Sequence, residues 1–93
     1  MFKILRITWP DKIVNPGLLY PKVEELSEVE DFSEAVTLGK TFCELIDMAP
    51  TVIIKELSTG ELTRVHPWDG PHHNVRGQHG MPVLDALRAE GKI

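Results

Sequence analysis

Residues Asp31 to Met48, DFSEAVTLGKTFCELIDM, constrain the fold more than any other stretch. Asp31 stands where an N-cap is expected and Glu34 follows three residues later, the D-x-x-E pattern of a capping box. Both acids also sit at the positive end of the helix dipole. Phe32, Ala35, Val36, Leu38, Phe42, Leu45, Ile46 and Ala49 recur at helical spacing, with Cys43 beside the stripe. Glu34, Thr37, Lys40, Thr41, Glu44 and Asp47 take the other side, and Pro50 ends the segment. Gly39 interrupts this pattern at a cost of about 1 kcal/mol relative to alanine. Close packing of the helix against a sheet accounts for it.

Strands flank this helix. Phe2 to Trp9 reads as a strand with Leu5, Ile7 and Trp9 on its core face and Phe2 and Ile4 on the other, so cover on part of both sides is expected. Asn15-Pro16-Gly17 is a turn signal. Lys22 to Glu30 is ambiguous. Val23, Leu26 and Val29 recur every third residue, which suits a short helix after Pro21. A complete sheet instead asks for an extended edge segment over Leu19 to Leu26, where charged side chains discourage unwanted pairing. Thr51 to Leu57 and Glu61 to His66 form a β-hairpin through the three-residue connection Ser58-Thr59-Gly60. Pro67 to Met81 is an irregular segment rich in His, Gly and Pro. Pro82 to Glu90 is a terminal helix, with Pro82 at its first position and Gly91 at its C-terminal cap. The expected fold is therefore α+β. It has a small antiparallel sheet of three or four strands, one main helix packed on it and a short C-terminal helix, all in one domain spanning residues 1–93.

Composition narrows the functional classes. No apolar run approaches the ~20 residues of a membrane helix, so no membrane partner is expected. Met1 leads directly into a strand carrying Lys3 and Arg6, and no signal peptide is legible. One cysteine excludes an internal disulfide and suits a reducing cytoplasm. The net charge of −4 hides an asymmetry, for Glu24, Glu25, Glu28, Glu30, Asp31 and Glu34 fall within eleven residues that hold no Lys or Arg. This argues against nucleic acid as partner and suits a basic protein surface.

Catalytic signatures do not assemble. Gly39-Lys40-Thr41 lacks the first glycine of a phosphate loop, Glu34 standing in its place. Cys43 lies mid-helix beside Glu44, a setting for a structural thiol. Ser27, Ser33 and Ser58 have turn or cap roles. His66, His72, His73 and His79 offer imidazoles for zinc, nickel or copper, with Asp69 and Asn74 near in sequence, yet their spacing matches no compact site. Trp9, Tyr20 and Trp68 suit core edges or binding anchors, Trp68 as a lid over the core or an interface hot spot.

The order of elements from Val29 to His66, an acid-capped helix followed by a short hairpin and preceded by an N-terminal strand, resembles small bacteriophage accessory and inhibitor proteins. That resemblance implies a protein that binds and blocks a host enzyme. The expected function is a non-catalytic protein-binding module without cofactor, contacting its partner through Glu24, Glu25, Glu28, Glu30, Glu34 and Trp68. A metal-binding protein or metal-dependent enzyme using His66, His72, His73 and His79 is the second reading. A homo-oligomeric structural or virion component is the third.

Overall fold

The computed structural model describes residues 1–10, 17, 20–45, 51–67 and 74–93. The expected turn at Asn15-Pro16, the helix end from Ile46 to Pro50, and Trp68, Asp69, His72 and His73 lie outside the described residues. The elements are β1 (Phe2–Thr8), β2 (Lys22–Val29), α1 (Phe32–Leu45), β3 (Thr51–Glu56), β4 (Leu62–Arg64) and α2 (Pro82–Ala89). The four strands form one antiparallel sheet in the order β2-β1-β3-β4. The α+β layout with one main and one short C-terminal helix is therefore as expected. Among the described residues no helix is long and apolar enough to cross a membrane.

Side chains of a strand alternate between faces, and β1 and β3 are apolar on both. Phe2, Ile4, Val52, Ile54 and Val65 pack with Ala35 of α1 on one face. Leu5, Ile7, Ile53 and Leu62 pack with Leu84 and Leu87 of α2 on the other. The sheet is thus sandwiched between two helices, and the terminal helix docks on the body of its own chain. Each buried leucine or isoleucine contributes about 1.5–3 kcal/mol relative to an exposed one.

Local chemistry sets the ends of both helices. Asp31 Oδ2 accepts from the Glu34 N–H at 3.3 Å, the N-cap bond that D-x-x-E implies. At the end of α2, Gly91 adopts φ +76°. Its N–H donates to Arg88 O, and Lys92 N–H donates to Leu87 O. This is a Schellman closure, which needs the left-handed backbone that glycine takes without strain. The reversal returns Ile93 to the cluster around Leu84 and Leu87.

Two expectations are corrected. The β3–β4 connection is Leu57 to Gly60, one residue longer than Ser58-Thr59-Gly60. Gly60 N–H donates to Glu56 O and Glu56 N–H to Glu61 O, while Leu57 N–H turns instead to Met1 O. Lys22–Val29 is an edge strand, as the extended reading expects and the helical one does not, and only its bounds are corrected, each lying three residues later than in Leu19 to Leu26.

Gly39 sits where α1 crosses the end of the sheet. A Cβ there would lie 2.9 Å from Val65 Cγ2, closer than packed carbons tolerate, and Val65 is itself buried. Gly39→Ala therefore sets a helix-propensity gain of about 1 kcal/mol against overpacking of about 1–3 kcal/mol. The expected outcome in urea unfolding is a net loss of about 1 kcal/mol. Adding Val65→Ala should make Gly39→Ala neutral or stabilising in that background, and additivity of the two substitutions would refute the contact.

Candidate functional site

The first part of the acidic segment folds as the sheet's outer strand, β2, and the rest forms the turn into α1 and its first turn. Ile4 lies opposite Ser27 while Leu5 lies opposite Glu25, so Leu26 is an extra residue in a β-bulge. The bulge shifts the alternation by one. Val23 packs in the cluster under α2, whereas Leu26 and Val29 pack in the cluster under α1. The three-residue spacing that imitates a helix thus belongs to a strand serving two cores.

The same shift distributes the carboxylates. Glu24 lies opposite Arg6 on β1, with Lys22 Nζ at 2.8 Å and Arg6 Nη1 at 3.9 Å from its oxygens. The hydrogen bond and charge of Lys22, aided by Arg6, hold the Glu24 carboxyl below its ordinary pKa against a smaller opposing effect of burial. Glu25 reaches Lys3 Nζ at 3.4 Å. Glu28, Glu30 and Glu34 are exposed. Among the described residues their carboxylates form no ion pair. The six acids therefore divide into two neutralised by neighbours, one used as a helix cap (Asp31), and three facing solvent, one each on the edge strand (Glu28), in the turn after it (Glu30) and in the first turn of α1 (Glu34).

The aromatic candidates separate too. Trp9 is a core edge, its Nε1–H donating to Thr51 Oγ1 at 2.8 Å. Tyr20 is 70% exposed, with Lys92 Nζ 5.6 Å from its ring centre. Trp68 lies outside the described residues.

Segment 74–80 runs along the free side of β4. Arg64 N–H donates to Gln78 O and Gly77 N–H to Thr63 Oγ1. The Asn74 side chain accepts from His66 N–H at 2.7 Å and donates to His66 O at 3.3 Å. Together these bonds cover the second edge of the sheet. His66 and His79 line a shallow open groove with Gly77, Gln78 and Gly80. His79 Nδ1 accepts from Met81 N–H, and Nε2 faces Asp85 Oδ1 at 3.4 Å. Both ring nitrogens thus have protein partners. Among the described residues no three His, Cys, Asp or Glu side chains gather as a metal site. His72 and His73 lie outside the described residues.

Sequence reasoning missed one cluster. Glu56 is 9% exposed and lies opposite Phe2. Arg76 pairs with its Oε1, and the Ser58 and Thr59 hydroxyls donate to its two oxygens at 3.3 and 3.0 Å. The Arg76 guanidinium also lies over the rings of Phe2 and Phe32, at 5.3 and 5.8 Å. The available signal was a glutamate at the last position of the strand TVIIKE, since a buried carboxylate needs a partner. Cys43 is half-buried, and burial is the main cause that pushes its thiol pKa up, away from the thiolate a nucleophile needs.

Burial works to raise the Glu56 pKa, but the Thr59 hydrogen bond, the Arg76 charge and hydrogen bond, and the Ser58 hydroxyl outweigh it and lower the pKa. A lowered folded-state pKa stabilises the fold above the ordinary glutamate value. That contribution is lost as pH falls from about 4.3 towards the lowered value. Urea midpoints of the wild type and Glu56→Gln should therefore differ most near neutrality and converge in acid. A gap that widens below about pH 4.3 would contradict the assignment.

Comparisons of the chain with protein-family models, with curated proteins and with solved structures find no match.

Proposed function

We propose that this chain is a non-catalytic protein-binding module that engages a basic surface of its partner through the acidic edge of its sheet. The observation that carries this reading is the position of Glu28, Glu30 and Glu34, exposed and without ion pairs among the described residues, beside an edge strand. Glu24 and Glu25 join the surface but are balanced by Lys22, Arg6 and Lys3. Acidic side chains left unneutralised along one rim attract a basic partner and orient it before contact. The resemblance in layout to small phage inhibitors makes a host enzyme in the cytoplasm the first class of partner to test.

The test uses the full chain as bait in bacterial lysate, over a range of salt concentrations. The triple variant Glu28→Lys/Glu30→Lys/Glu34→Lys leaves the paired acids and the Asp31 cap intact, so the fold should survive. Specific partners should be retained about tenfold less well, and their capture by the wild type should weaken as salt rises. Equal retention of every specific partner by both proteins would overturn the reading. In the same preparation, purified without a histidine tag, bound zinc or nickel should stay below about 0.1 equivalent. Near-stoichiometric metal would favour the histidine reading instead.

A further inference from the structure

We propose that Phe2, Phe32, Glu56, Ser58 and Thr59 form a receptor for a guanidinium group, filled within the chain by Arg76 and open to exchange with an arginine of the partner. This rests on the acidic-edge reading above and names the side chain that the partner inserts. The receptor is built from framework elements. Phe2 belongs to β1, Phe32 to α1 and Glu56 to β3, with Ser58 and Thr59 in the connection after it. The two rings stand 5.6 Å apart at 58°, and the Arg76 guanidinium lies over both. The Ser58 hydroxyl donates to Glu56 Oε1 and the Thr59 hydroxyl to Oε2, so both carboxylate oxygens are held in place. Ring faces attract a cation, and a planar cation that also donates to a carboxylate is better matched by a guanidinium than by an ammonium.

Arg76 is the exchangeable part. It comes from segment 74–80, which has no regular structure. Its side chain is 50% exposed while that of Glu56 is 12% exposed, so the carboxylate is the floor of the site and the guanidinium its solvent-side cover. The entrance also lies beside the acidic rim. Phe2 stands between Val29 on β2 and Glu56 on β3, and the exposed Glu28 and Glu30 flank Val29 in the chain. Neighbouring strands are about 4.8 Å apart, which puts Val29 about 10 Å from Glu56. A basic partner drawn to these acids therefore arrives at the receptor. Arg76 competes as a tethered ligand at an effective concentration on the order of 1 mM. An incoming arginine prevails through the partner's other contacts.

The experiment titrates Arg76→Ala with N-acetyl-arginine amide and follows the ring proton resonances of Phe2 and Phe32 by NMR. N-acetyl-lysine amide is the control of equal charge. The arginine probe should shift both rings with a dissociation constant of about 1 mM. The lysine probe should bind at least about fivefold more weakly. The wild type should bind the arginine probe about tenfold more weakly than Arg76→Ala, because its own side chain must leave. Arg76→Ala/Glu56→Gln, which carries no unpaired buried carboxylate, should also lose about tenfold. Equal action of the two probes on Arg76→Ala, whether as binding or as recovery of its fold, would overturn the receptor, as would equal binding by Arg76→Ala and the wild type. Either failure leaves the acidic-edge reading standing, since Glu28, Glu30 and Glu34 lie outside the receptor and have their own triple variant. An arginine probe that binds as expected while that variant keeps every specific partner would retain the receptor and discard the acidic edge.

Discussion

Everything in this molecule depends on a sheet whose two central strands are buried on both faces. Ile4 and Leu5 are neighbours in sequence yet belong to different clusters, as do Ile53 and Ile54. Burying both sides of β1 and β3 requires a layer on each face, and a chain of 93 residues has just two helices among its described residues to supply them. α1 is long enough to span one face. The opposite face relies on α2, whose Leu84 and Leu87 are buried, and on Ile93, brought back by the turn at Gly91. Each half of the core is small, so close fits matter. Gly39 against Val65 is such a fit, where the absence of one methyl group lets the helix approach the end of the sheet.

The edges of the sheet show how the same frame separates structural from exposed charge. At β2, Lys22 and the cross-strand residues Arg6 and Lys3 absorb Glu24 and Glu25, and the bulge sends the following residues into another phase. What remains for solvent is fixed by geometry rather than by the number of acids. At β4, polar groups of segment 74–80 take the place of a strand, with the Asn74 amide bonding the His66 backbone in both directions. Arg76 fastens the same segment from above, on Glu56 and over two phenylalanine rings. A segment without regular structure is thus held by donors and acceptors of β3, β4 and the His66 backbone just beyond β4.

Much of the fold was legible because it rests on local rules. The Asp31 cap, the apolar stripe of α1, Pro82 and Gly91 around α2, and the β-branched run before Gly60 each act within a few residues. Two-sided cover of β1 could also be read from Phe2 and Ile4 alternating with Leu5 and Ile7. β2 was legible only as an ambiguity. Val23, Leu26 and Val29 suggest a helix when read by period, since a bulge changes the face of a strand and breaks the alternation. The candidate site was legible as composition, an acidic run, but not as a surface.

The sequence by itself determined the helices, the hairpin and the strongly apolar strands, because capping, turn formation and periodic burial are short-range effects. Only the tertiary structure decided which acids stay free and what neutralises Glu56. Glu25 meets Lys3 and Glu56 meets Arg76 across pairings distant along the chain, and Arg6 joins the local partner Lys22 at Glu24 in the same way. The balance between Coulomb attraction and desolvation depends on separations of a few ångströms that no sequence spacing encodes.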